Sequence, residues 1–390
     1  MKKALVFILV ASMVLSMAAC SKKGTDKDTA NNKSVTNDKG TTEGKGEEKT
    51  DKKDTVKAAF LGWRFGDKGF NELTVSGVTR ADNDFANLDI TAIDITTDPA
   101  NFVPSLLEAC DSGYEVIALA AFEFEEILEE YAPQYPDITF ILLDGECDYA
   151  TYDLPNVYSA TFMTNETAFL AGMTASYITS KLELEGINED KVIGFIGGQD
   201  NVPTIWQFYI GFSEGATYYD PDTKVVHAYT NSFDDSAKAK ELALAQYNSM
   251  NADLVYHAAG SAGLGIFEAA YETGKYAFGC NTDQTKLYEG KNEQDRIITS
   301  TMIGVDQAIY NALEAYLNGT LETGEHHTLG IAQGIGGLAD NDYFRSYVGE
   351  EFIKVLDETT EKIKSGEIKV TRAFDVSADY VNDLEEKMQP

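Results

Sequence analysis

The strongest constraint on the fold is a repeated alternation of short apolar runs and stretches of helical length. From Val192 to Asn281 it recurs three times: VIGFIGG leads into VPTIWQFYIGFSEGA, ADLVYHAA into GSAGLGIFEAAYETG, and KYAFGC into NTDQ. Short apolar runs bounded by glycine or polar turns read as strands covered on both faces, and their alternation with helices reads as a parallel sheet. Open sheets of this type carry their sites at the carboxyl ends of the strands.

The first half of the chain has the same layout. VKAAFLG (Val56 to Gly62), LDITAIDI (Leu88 to Ile95), EVIALAAF (Glu115 to Phe122) and ITFILLDGE (Ile138 to Glu146) are strands separated by helical segments. VYSATF follows, then NETAFLAGMTASYITSKL, a helix whose Ala168, Ala171, Gly172 and Ala175 permit close packing. After the second alternation come IITST, the helix GVDQAIYNALEAYLNG, TLGIA, the helix FIKVLDETTEKIKSG and a strand EIKV, pieces to be shared between two sheets. The expected fold is α/β: two doubly wound parallel-sheet lobes with a ligand cleft between them. The first lobe is expected to comprise residues 57–161 with 285–325, and the second residues 162–284 with 326–390.

Ahead of the folded part, Lys2 and Lys3, an apolar run and small residues before Cys20 predict a signal peptide over residues 1–19, too short in its apolar core to span a bilayer. Met17-Ala18-Ala19-Cys20 resembles a bacterial lipoprotein box, so Cys20 is the expected lipidation site and the membrane is reached through a lipid anchor. Residues 20–56 are almost devoid of apolar side chains and read as a flexible stalk. Residues 1–56 hold 11 lysines against 8 acids, whereas the remainder carries 20 basic and 56 acidic residues of the chain's net −33. An acidic folded part without clustered Lys and Arg excludes nucleic acid as a partner.

The four cysteines show no C-x-x-C pair and no histidine at metal spacing, so neither a metal nor a redox cofactor is implied. His227, His257, His326 and His327 flank no nucleophile elbow, and no catalytic residue is assigned. His326 and His327 are expected in a solvated connection.

Candidate ligand contacts follow from the strand ends. Asp144 ends ITFILLD and Asn281 follows YAFGC, where polar groups face a cleft; turn capping competes for Asp144. Asp283 is a possible extra acceptor, although turn solvation competes. Phe70, Phe122 and Trp206 lie near strand ends and suit stacking on a flat ring, with core packing as the competing role. Of these, Trp206 is the preferred contact because it starts the helix after Gly197-Gly198. Asn71 opens the first helix and so competes with capping, and Gly260 would let backbone approach a ligand.

GDKGFN (Gly66 to Asn71), YSATFMTNETAFLAGMTA (Tyr158 to Ala175), KVIGFIGG, VPTIWQFYIGFSEGA, ADLVYHAAGSAGLGIFEAAYETG and GCNTDQ, in that order, resemble the basic membrane protein family. The resemblance runs from about Lys57 to about Lys369. It implies a type I periplasmic-binding-protein-like fold and a substrate-binding lipoprotein of an ABC importer on the extracytoplasmic face of the membrane, with an ABC permease as partner and a nucleoside-like small molecule as ligand. It also adds Asp67, from GDKGFN, to the candidate contacts. The chain departs from the family at Gly66 and Gly69, where an acid and a hydroxyl are usual. It departs again at Asn281, where an Asp holding ribose hydroxyls is usual, and at Ile303, where a Lys is usual. A receptor of the same fold for another heterocycle or signalling solute, and a nucleoside-processing enzyme, are the alternatives.

Overall fold

The computed structural model describes residues 55–390. The expected signal peptide, Cys20 and nearly all of the stalk lie outside the described residues. The first half forms β1 (Val56–Gly62), α1 (Phe70–Asp84), β2 (Leu88–Asp94), α2 (Phe102–Asp111), β3 (Val116–Ala120), α3 (Glu125–Tyr131), β4 (Thr139–Leu143) and β5 (Val157–Phe162). The chain then crosses into α4 (Thr164–Thr179), β6 (Val192–Gly197), α5 (Pro203–Tyr219), β7 (Lys224–Tyr229), α6 (Ser236–Ser249), β8 (Ala252–Ala258), α7 (Leu264–Thr273), β9 (Tyr276–Gly279) and β10 (Ile297–Met302). It returns through α8 (Val305–Asn318) and β11 (Glu325–Leu329), and crosses again to β12 (Gly337–Leu338), α9 (Asp342–Lys364) and α10 (Ala378–Met388).

Two six-stranded sheets result, ordered β11-β5-β4-β3-β1-β2 and β12-β10-β9-β8-β6-β7. Every pairing is parallel except that of β12 with β10. β3 and β8 are buried along their whole length, as strands covered by helices on both faces must be.

The pairing corrects the expected division of the chain. Ile297–Met302 lies beside β9 in the second sheet, not in the first lobe with the rest of residues 285–325. Conversely, Glu325–Leu329 closes the edge of the first sheet beside β5, so His326 and His327 sit on a strand and not in a loop. The dipeptide's polarity hid an edge strand, whose outer side tolerates polar groups. The expected strand EIKV is irregular and follows α9 without pairing. A helix-to-strand step needs a free sheet edge, and β12 and β7 already occupy both edges of the second sheet.

Within the second lobe α4 and α5 touch backbone to backbone. A Cβ on Gly172 would stand 2.0 Å from the Phe212 carbonyl oxygen, and one on Gly215 1.9 Å from that of Phe169. The small residues expected to permit close packing are therefore at the contact. In the first lobe α8 packs on α1, where a Cβ on Gly77 would meet the Asp306 carbonyl oxygen at 2.4 Å. Each lobe thus has its own tightly packed core.

Three crossings join the lobes, at Met163, at Ile303–Gly304 and over residues 330–336. Beside them Arg372, from the segment after α9, donates to Glu146 at 2.6 Å and to Thr161 at 3.1 Å. His326 bridges Ser159 and Thr161, 2.9 Å from each hydroxyl, and burial pushes its pKa down to about 4. The histidine therefore works as a neutral hydrogen-bonding spacer. No helix among the described residues is long and apolar enough to cross a membrane.

Candidate functional site

The carboxyl ends of the strands from both sheets meet at one cavity with about 750 Å³ of empty space, including its opening to solvent. The first lobe lines it with Trp63, Arg64, Asp67, Phe70, Asn71, Phe122, Glu123 and Asp144. The second contributes Thr204, Ile205, Phe208, Phe233, Gly260, Ser261, Cys280 and Asn281, and the middle crossing adds Ile303.

The loop after β1 is held from both sides. Trp63 is buried and stacks on Phe102, with ring centres 4.7 Å apart. Gly69 starts α1 without a capping side chain, and Asp67 takes that role. Its Oδ1 accepts from the N–H groups of Gly69 and Glu72 (2.9 and 3.1 Å), and its Oδ2 from Asn71 N–H and Nδ2 (3.1 and 2.8 Å). A carboxylate at a helix start also matches the positive end of the helix dipole. Asp67 lines the cavity, yet both its oxygens are occupied by the helix it caps. Its consequence for the site is to fix Asn71, whose amide oxygen keeps its acceptor capacity.

Asp144 is the first residue beyond β4. Its backbone is left-handed, with φ 61°, and its N–H is tied to the Ala160 carbonyl at 2.8 Å. No hydrogen-bond partner for its carboxyl is found among the described residues. Burial raises its pKa well above the usual carboxylate range, and Glu123 and Glu125 reinforce the shift. A group of this kind is costly to bury unless something that enters the cavity pairs with it.

Asn281 mirrors it at the end of β9, also left-handed with φ 70°. Its Oδ1 accepts from the Cys280 thiol at 3.2 Å, and burial pushes that thiol up to about 12, so it stays protonated. Behind it, Gln284 Oε1 accepts from Cys280 N–H and from His257 Nε2, each at 2.9 Å. Two donors on one oxygen fix the imidazole as the Nε2–H tautomer, and burial lowers its pKa to about 4.

Phe233 is held by its own carbonyl, which accepts from Ala262 N–H at 2.9 Å and from Ser261 Oγ at 3.0 Å. Gly260 turns the chain after β8 with φ 55°, and a Cβ there would lie 3.2 Å from the same carbonyl oxygen. Its glycine character thus lets the turn after β8 approach the Phe233 backbone.

Seven of the nine expected contacts, Asp67, Phe70, Asn71, Phe122, Asp144, Gly260 and Asn281, line this cavity. Trp206 and Asp283 do not. Trp206 is 7% exposed within the second lobe's core, and its Nε1 donates to Asp200 at 3.3 Å. Thr204 and Phe208 share the cleft-facing side of α5 at i and i+4 spacing, and Trp206 lies about halfway round. Asp283 accepts from Thr285 Oγ1 at 2.6 Å and Asn341 Nδ2 at 3.1 Å, which ties its loop to the start of α9. Sequence reasoning missed Phe208 and Phe233. Helical register would have pointed to Phe208, whereas Phe233 lies in an irregular turn with no periodic signal. Cys110, Cys147 and Cys280 are free and buried.

The family described as ABC transporter substrate-binding protein PnrA-like matches residues 56–373. Basic membrane protein A of Borreliella burgdorferi is 30% identical over 310 residues, covering 78% of this chain and 84% of that protein. An uncharacterized lipoprotein of Pyrococcus horikoshii is 28% identical, covering 85% and 88% of the respective chains. Among solved structures, an ABC transporter solute-binding protein of Aeropyrum pernix superposes with a TM-score of 0.72 at 26% identity, over 85% of this chain and 97% of that one. This is the type I periplasmic-binding-protein fold that the resemblance implies. The cleft, the paired sheets and the match over nearly all the described residues lead to one assignment: the chain belongs to the PnrA-like family of ABC transporter substrate-binding proteins.

Proposed function

We propose that the protein is the lipid-anchored, extracytoplasmic receptor of an ABC importer, and that it encloses a nucleoside-like heterocycle between its lobes. The observation that carries the ligand reading is the unpaired carboxyl of Asp144, in a cavity lined by Phe70 and Phe122 from one lobe and Phe208 and Phe233 from the other. Aromatic walls suit the faces of a flat ring, and a carboxyl between them suits its edge N–H groups. Family and fold are those of solute-binding proteins. Delivery to a permease, and not chemical conversion, is the role that follows.

Calorimetry and thermal shift with inosine, guanosine and adenosine, followed by chromatography of the recovered ligand, test the reading. The expected result is saturable binding by at least one of them, weakened in Asp144→Asn, with the ligand recovered intact. Absence of binding by every nucleoside and free base would refute the ligand class, and a cleaved glycosidic bond would refute the receptor role.

A further inference from the structure

Charge in the cavity is segregated by lobe. All its lining carboxylates (Asp67, Glu123, Asp144) and its one lining cation, Arg64, come from the first lobe. The second lobe lines the cavity with no ionised group: its only titratable lining residue is Cys280, protonated as described, and the Asp234 carboxylate beside Ser261 stands outside the lining, paired with Arg64.

The donor and acceptor inventory is equally one-sided around Asn281. The Cys280 thiol donates to its Oδ1, which leaves that single oxygen one further acceptor site, whereas its Nδ2 has no acceptor among the described residues. The Ser261 hydroxyl hydrogen is engaged within the second lobe, with the Phe233 carbonyl at 3.0 Å and Asp234 Oδ1 at 3.3 Å as its acceptors. Ile303, 5% exposed, closes this end with an aliphatic side chain, and its N–H reaches the Asn281 carbonyl at 3.4 Å. A vicinal diol brings two adjacent O–H donors and is read by a two-oxygen acceptor such as a carboxylate. None lines this wall, since the Asp234 carboxylate beside it is held through both oxygens by Arg64. An unpaired amide N–H₂ beside an aliphatic and an aromatic side chain suits instead a single acceptor on an otherwise apolar group.

We infer that Asn281 and Ile303 make the second lobe a subsite for a diol-free substituent, so the ligand is a heterocycle without a cis-diol: a 2′-deoxynucleoside or a free base. The inference rests on the heterocycle reading above and narrows it. A site built to bond a hydroxyl rejects the analogue lacking it by orders of magnitude, and a site without that partner does not.

The test is calorimetry of the full folded chain with guanosine, 2′-deoxyguanosine and guanine, and with the corresponding inosine and adenosine series. The wild type is expected to bind the best deoxynucleoside or base at least as tightly as its ribonucleoside. Asn281→Asp, which keeps side-chain size and tolerates the left-handed backbone, is expected to shift the ratio toward the ribonucleoside by about tenfold or more. A melting curve establishes that this variant is folded. A wild-type preference for the ribonucleoside overturns the inference and leaves the proposed function standing. Failure of every compound to bind overturns both. An unchanged ratio in a folded Asn281→Asp overturns the role of Asn281.

Discussion

Arg64 of the first lobe and Asp234 of the second meet across the cleft, with Nε 2.9 Å from Oδ1 and 3.1 Å from Oδ2, and the guanidinium carbon lies 5.8 Å from the Phe233 ring centre. The pair links the loop after β1 to the turn before α6 and exists only while the lobes are together. The Asp234 side chain is 54% exposed, so the contact is screened. Arg64→Ala and Asp234→Ala should each weaken ligand binding by roughly 0.2–1 kcal/mol, with the double variant no worse than the larger single effect. Calorimetry at low and high salt checks this, and the deficits should shrink as salt rises.

Asp144→Asn should separate stability from binding. Burial raises the Asp144 pKa, so the folded state holds the proton more firmly than the unfolded chain. The favourable contribution is complete below the ordinary carboxyl value, about 4, and is lost as pH rises through the raised value. At pH 7 the wild type therefore carries a cost that the variant lacks. The ligand-free variant should melt higher than wild type at pH 7, with the gain fading toward pH 4, while ligand affinity falls by about 1.5–3 kcal/mol.

Trp206→Ala removes a large buried side chain from the core of the second lobe. It should lower stability by about 3–5 kcal/mol, and the fraction that folds should keep its affinity. Denaturant titration paired with calorimetry checks it. Affinity lost with stability kept would put the indole at the ligand.

His257 should set part of the acid sensitivity. Its pKa is lowered to about 4 by burial, so the unfolded chain takes up the proton first as pH falls below the ordinary value of about 6.5. Stability from the neutral ring is complete above that value and drains away between there and pH 4. The difference in unfolding free energy between wild type and His257→Gln should change by roughly 3 kcal/mol from pH 7 to pH 4.

Cys20→Ser should release the protein from the membrane fraction without altering affinity. Fractionation and calorimetry on the released protein check both halves.

The fold was legible because its strands are apolar runs between glycines, a pattern set by burial on both faces. The place of Asp144 and Asn281 on the cavity wall was legible for a related reason: strand ends in such sheets are where polar groups meet a cleft. Helical phase turns Trp206 away from the cavity-lining side of α5, which a reading by proximity to a strand end does not take into account. Asp67 shows another limit, since capping and ligand contact ask for the same residue type at the same place. The edge strand at His326 was hidden because polar residues satisfy an edge as well as a loop.

The sheet order has a consequence for how the protein is made. Edge strand β11 and covering helix α8 complete the first lobe, yet they are synthesised after nearly all the strands of the second. The half that emerges first must therefore wait, with one flank of β5 unpaired and one side of α1 bare, until residue 329 has left the ribosome. The second lobe's β6 to β10 form an almost continuous stretch and can assemble in the meantime. Maturation should run from the middle of the chain outward, and the exposed flank of β5 is where a holding chaperone has most to protect.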